Sequence, residues 1–157
     1  MTGDTYGGLD GNTSSGLGDI FLVKYDSSGT KQWTKQLGTS KGDSGNGVTT
    51  DSSDNIYVTG YTSGLENYVG LDGNTSLGST DIFLVKYNSS GTKQWTKQLG
   101  TSSGDYGWDV TTDSSGNIYV TGDTYGGLDG NTNSDRDSVQ SGSDIFLVKF
   151  NSSGIKQ

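Results

Sequence analysis

The chain has 157 residues, a net charge of −8 and a hydrophobic content of 27%, with 27 Gly and no Pro, Cys or His. This balance disfavours nucleic acid as a partner. It also excludes disulfides and thiolate metal sites, and it removes the residues on which the usual catalytic triads and dyads depend. No run approaches the roughly 20 apolar residues of a membrane span, and no basic-then-apolar secretion signal opens the chain. Localisation stays open on the residues alone. So little apolar content would ordinarily mean disorder, but the apolar residues are gathered in short recurring blocks separated by Gly, Ser, Asn and Asp.

From the N-terminus, Thr2 to Thr13 duplicates Thr121 to Thr132. The first full strand, C, is predicted over Ile20 to Tyr25, a continuous apolar run of the kind covered on both faces. The turn Asp26-Ser27-Ser28-Gly29-Thr30 leads into strand D, Gln32 to Leu37. There Trp33, Lys35 and Leu37 alternate with Gln32, Thr34 and Gln36, as at a sheet edge. Strand A follows around Val48, and a second tight turn, Asp51 to Asn55, leads to strand B, Ile56 to Thr59. A long Gly-rich segment then returns to C.

The whole series repeats. Asp19 to Tyr25 recurs at Asp81 to Tyr87 and, with one aromatic exchanged, at Asp144 to Phe150, at spacings of 62 and 63 residues. Thr30 to Thr39 recurs unchanged at Thr92 to Thr101, and Ile155-Lys156-Gln157 begins a third copy. The A–B and C–D connections are tight and the B–C and D–A connections long, so in an up-and-down sheet the tight turns share one face and the long loops the other.

These features predict an all-β fold of tandem four-stranded antiparallel blades, a partial β-propeller. A β-solenoid is the alternative, although its coils are usually shorter and need no paired hairpins; a β-sandwich would not need near-identical sequence at a fixed period. The chain reads as one repeat array over 1–157, with a partial blade at 1–38, a full blade at 45–100 and a partial blade at 107–157. Both ends fall inside a blade, which leads to the expectation of a segment of a longer propeller or of sheets completed by homo-oligomerisation. Counting C and D at the start and A, B and C at the end, head-to-tail joining would leave one C strand over.

The residues Asp-Ser-Ser-Gly-Asn-Ile-Tyr-Val-Thr-Gly at 113–122 resemble the SBBP (beta-propeller) repeat of large bacterial proteins, and every block from Thr2 to Gln157 keeps the phase of that repeat. The resemblance implies propeller architecture and an exported or cell-surface setting. It implies no catalytic signature.

Two sets of candidate site residues stand out. Asp10 and Asn12, Asp72 and Asn74, and Asp129 and Asn131 place oxygen-bearing side chains two residues apart around Gly, as Ca²⁺ ligands would be, although Asp-Gly-Asn is also an ordinary turn. No other cofactor is expected. Asp105, Tyr106, Trp108 and Asp109 form the second set, a candidate sugar- or protein-binding patch, because the preceding repeat has Ser44, Asn46 and Gly47 where Tyr106, Trp108 and Asp109 stand. A local packing variant is the plainer account of the same residues. Trp33 and Trp95, copied in phase, read as inter-blade packing. The polar insertion from Asn133 to Gly142 lengthens one long loop and holds the only arginine, Arg136. Asn12, Asn74, Asn88 and Asn151 fit glycosylation sequons, as chance allows in so Ser/Thr-rich a chain.

The expected function is a non-catalytic binding or assembly module presenting its long loops to a protein or glycan. The alternatives are a calcium-binding adhesin-type module and a carbohydrate-active lyase or glycosidase fragment using Asp and Tyr.

Overall fold

A computed structural model describes residues 1–64, 68–133 and 142–157, so Glu66 and the 134–141 part of the insertion, including Arg136, lie outside the described residues. Among the described residues ten strands form three antiparallel sheets: β1 (Thr2–Thr5), β2 (Asp19–Tyr25), β3 (Lys31–Leu37), β4 (Asp43–Thr50), β5 (Ile56–Ser63), β6 (Thr80–Tyr87), β7 (Lys93–Leu99), β8 (Asp105–Thr112), β9 (Ile118–Thr124) and β10 (Asp144–Phe150). The sheet orders are β1-β2-β3, β4-β5-β6-β7 and β10-β9-β8. The middle sheet is a complete A-B-C-D blade with D at its edge. The first sheet carries more than the expected C and D, because β1 supplies the end of a B strand paired with β2 from Thr2↔Leu22 to Thr5↔Asp19. The A strands begin at Asp43 and Asp105, two residues earlier than the sequence boundaries of 45 and 107.

Alternation along strand C decides which side chain meets which neighbour. Ile20 and Leu22 on the first sheet, flanked by Trp33 and Leu37, pack on Ile56, Val58, Phe83, Val85 and Tyr87 of the second. Ile82 and Leu84, flanked by Trp95 and Leu99, pack in the same way on Val110, Ile118, Val120, Val148 and Phe150 of the third. One face of each sheet therefore buries against the opposite face of the next, and two equivalent cores result. The tryptophans close each junction: a Cβ on Gly91 or Gly154, in the C–D turn of the following sheet, would meet the ring of Trp33 or Trp95 at 3.0–3.1 Å. This is the inter-blade role expected of them.

The A strands associate most closely across sheets, β4 against β8, so the inner edges converge. Glycine permits this approach. A Cβ on Gly47 would lie 2.9 Å from Asp109 Cα, and one on Gly45 would collide with the Thr2 hydroxyl. In strand B, the rings of Phe83 and Phe146 cover Gly60 and Gly122, where a Cβ would come within 2.9 Å of them.

Each tight turn is organised by one side chain at its first position. The Asp51 carboxylate accepts from the Ser53 and Asn55 amides and from the Tyr57 hydroxyl at 2.9 Å each, and Asp113 repeats the set in the third sheet. In the C–D turns Asp26 accepts from the Ser28 and Thr30 amides, whereas Asn88 and Asn151 make the same pair of bonds without a charge. Hydrogen bonding from the Ser28 hydroxyl and the Thr30 amide holds the Asp26 carboxyl below its ordinary 3.8. Its stabilising bonds are complete above that value and are lost as pH falls through the lowered folded one. Asp26→Asn should therefore leave stability at pH 7 nearly unchanged, as for surface changes generally, and should flatten the loss of stability that denaturant titration reads as pH falls below about 3.8. An unchanged acid slope would contradict this origin.

Candidate functional site

Antiparallel order puts the starts of the A strands, the ends of the B strands and the D–A and B–C loops at one end of the sheets. The irregularity that shapes this end is a β-bulge. Register slips between Gly45 and Gly47 in β4 and between Gly107 and Asp109 in β8, leaving Asn46 and Trp108 as the inserted residues. Asn46 uses its place to bridge sheets, donating to the Gly107 carbonyl at 2.8 Å. Trp108 instead stands out from the surface, half-exposed, with its indole N–H donating to the Asp123 carboxylate.

Tyr106 and Trp108 stack, with ring centroids 5.9 Å apart and planes 9° from parallel. Tyr106 also meets Tyr61 of the preceding sheet edge-on at 5.1 Å and Tyr125 at 6.2 Å. The four rings form one patch in which Trp108 is 50% and Tyr125 42% exposed. Below Tyr125 a depression of about 380 Å³ opens between the long loops, lined by Thr101, Ser103, Gly126, Asn131 and Asn133 among others.

Of the four residues singled out at 105–109, the structure brings Tyr106 and Trp108 together. Asp109 is exposed, but its carboxylate bonds its neighbour, the Val110 amide, at 2.8 Å. Asp105 points the other way and is fully buried, held by the Thr101 amide and hydroxyl and by Thr124. Tyr61, Tyr125 and Asp123 complete the patch and were not signalled by their own segments. The signal lies in a cross-sheet pair of positions: Ser44 bonds Asp4 where Tyr106 packs on Tyr61, so the first junction is polar where the second is aromatic.

The Leu-Asp-Gly-Asn loops take a different form. Asp10, Asp72 and Asp129 sit in the left-handed region at φ 52–56°. Their carboxylates pair with Lys31, Lys93 and Lys156 of the D strands, and Asp10 and Asp72 also accept from Thr34 and Thr96. The Lys31 ammonium, with the Thr34 hydroxyl, holds the Asp10 carboxyl below 3.8. Asn12, Asn74 and Asn131 each donate back to the leucine carbonyl three residues earlier. Leu71 and Leu128 are thereby driven into the two inter-sheet cores. The loop staples the blade junction.

Stacked antiparallel sheets of three and four strands with converging inner strands define a β-propeller blade array. The repeat model described as SBBP, beta-propeller repeat, matches residues 32–68 and 94–129, and in these repeats the chain belongs to that family. Among curated proteins, the chain is 35% identical over 134 residues, 76% of its length, to an uncharacterized WD repeat-containing protein of Acanthamoeba polyphaga mimivirus. It is 29% identical over 149 residues, 93% of its length, to the regulatory protein FlaEY of Caulobacter vibrioides. The chain spans only 9% and 15% of those two relatives. Among the described residues no helix is long and apolar enough to cross a membrane.

Proposed function

We propose that the chain is a non-catalytic propeller segment that binds a protein through its long-loop face, with the Tyr61, Tyr106, Trp108 and Tyr125 patch as the contact. The observation that carries this reading is the exposed Tyr106–Trp108 stack, placed by a bulge at the one end of the sheets where the repeats differ most. Tyr and Trp are enriched at the centres of protein interfaces because they combine a large apolar face with a polar tip. The names of the relatives, one a WD repeat-containing protein and one a regulatory protein, fit an interaction module.

The test is a parallel screen of a displayed peptide library and a glycan array. Protein-derived ligands should be enriched, and Trp108→Ala should weaken them about thirtyfold, which corresponds to the ~2 kcal/mol expected of an interface hot spot. Enrichment of glycans alone would replace the partner class, and ligands indifferent to Trp108→Ala would remove the patch from the account.

The end faces support assembly as well as recognition. Ile145 and Leu147 of β10 are 91% and 71% exposed, whereas their counterparts Ile82 and Leu84 are each 2% exposed beneath the next sheet. On the opposite end, Tyr25 is 46% exposed against 5% for Tyr87. These are the two halves of a junction the chain already forms twice internally, so each face is suited to another blade of the same kind, from further chain or from a second copy.

A further inference from the structure

Two pairs of buried carboxylates lie at the blade junctions, outside the aromatic patch. Asp19 at the start of β2 neighbours Asp43 at the start of β4, whose amide donates to the Gly18 carbonyl at 2.8 Å, and Asp81 of β6 neighbours Asp105 of β8 through the equivalent Thr80–Gly104 bridge; relative exposure is 2% for Asp43 and 0% for the other three. In each pair the A-strand aspartate is fully engaged. One oxygen of Asp43 accepts from the Thr39 amide and hydroxyl and the other from Thr62, and Asp105 repeats this with Thr101 and Thr124. The C-strand partner is only half used. Asp19 Oδ2 accepts from the Ser15 amide and Gln36, and Asp81 Oδ2 from Ser76, the Leu77 amide and Gln98. Asp19 Oδ1 and Asp81 Oδ1 are buried with no hydrogen-bond partner.

That arrangement is costly for a protein left to itself. A buried carboxylate oxygen without a donor forfeits its hydration, and a second buried anion beside it adds repulsion. The lysine ion pairs of the described residues all go to the Leu-Asp-Gly loops instead. Glycine admits the carboxylate: a Cβ on Gly38 would collide with Asp19 Oδ1. Asp81 Oδ1 and Asp105 Oδ2 both lie within 3.2 Å of the point a Cβ on Gly100 would occupy. The adjoining loops also bring the Thr101 and Ser103 carbonyl oxygens against Gly78.

We propose that each Asp pair, Asp19 with Asp43 and Asp81 with Asp105, binds one divalent cation, Ca²⁺ in kind, which fastens the long loops at the blade junction. Two carboxylates neutralise one divalent charge, and hard cations of this size take oxygen ligands in irregular sets of six to eight. The cation gives each orphaned Oδ1 its missing partner.

Titration of the metal-free chain with CaCl₂ by calorimetry should show two sites per chain, and saturation should raise the unfolding midpoint by several degrees. Asp19→Asn and Asp81→Asn should each reduce the stoichiometry to one, and the double variant should bind none, while Asp10→Asn, Asp72→Asn and Asp129→Asn leave it at two. Should an Asn variant fail to fold, Mn²⁺ added to the wild-type chain decides by NMR, with broadening expected first at the Ser15, Thr39, Leu77 and Thr101 amides. No heat and no thermal shift at millimolar Ca²⁺ would overturn the proposal. So would sites lost on substituting Asp10, Asp72 and Asp129, or Mn²⁺ broadening confined to those loops.

Discussion

Phe83→Ala is expected to lower unfolding free energy by about 3–5 kcal/mol, the range for truncating a fully buried aromatic side chain. Phe83 is 0% exposed and sits in the first inter-sheet core with Val85, Tyr87 and Leu71, its ring covering Gly60. The protein cannot refill the space from strand B, because a Cβ at Gly60 would strike the Ser44 carbonyl as well as the ring. Since domains of this size are stable by about 5–15 kcal/mol in total, a large fraction of the molecules should unfold at modest urea. Phe146→Ala is the internal control. Its side chain covers Gly122 in the same way, but it is only partly buried, so a smaller loss is expected in the same urea titration. Equal losses at both positions would mean that the fuller burial of Phe83 adds little to its contribution.

The double substitution Ile145→Asp, Leu147→Asp is expected to abolish self-association while leaving the fold intact. Both side chains are exposed here and their equivalents in the preceding repeat are buried by a neighbouring sheet. Covering an apolar side chain of this size contributes about 1.5–3 kcal/mol, so losing two should weaken association by at least a hundredfold. Sedimentation velocity across a concentration series reads this directly. A well-folded wild-type monomer at all concentrations, or an association indifferent to the substitution, would show that the β10 face does not recruit a second copy of this chain.

Much of the fold was legible because strand C writes itself plainly: Asp-Ile-Phe-Leu-Val-Lys-Tyr is the continuous apolar run of a strand covered on both faces, and its return fixes the period. Strand D's alternation marked the edge position it occupies in the middle sheet. The beginning of strand A was harder to see. Asp43-Ser44-Gly45-Asn46-Gly47 reads as loop by composition, yet it is strand, because its glycines serve close backbone approach between inner strands rather than turns. The opening Thr2–Thr5 strand was hidden for a related reason: without the Ile-Tyr-Val that precedes it in the other copies, Thr-Gly-Asp-Thr carries no apolar signal of its own.

The site divides in the same way. Trp108 was visible as a departure from the repeat, but Tyr61 and Tyr125 become its companions only through cross-sheet contacts that no single segment encodes. The aspartates show the converse. Asp10 and Asp105 are both Asp beside a Gly-rich stretch, and only burial separates a lysine-paired surface turn from a carboxylate sealed at a blade junction.

On the proposed reading, recognition belongs to the long-loop end and the opposite end is scaffold. Hydroxyl-radical footprinting of the chain with and without its selected ligand tests this most directly. Protection is expected at Trp108 and Tyr125, with unchanged reactivity at Tyr25, the last residue of β2, and at Ile155, both beside tight turns and exposed to comparable degrees. Protection at Tyr25 or Ile155 with Trp108 and Tyr125 still reactive would contradict it.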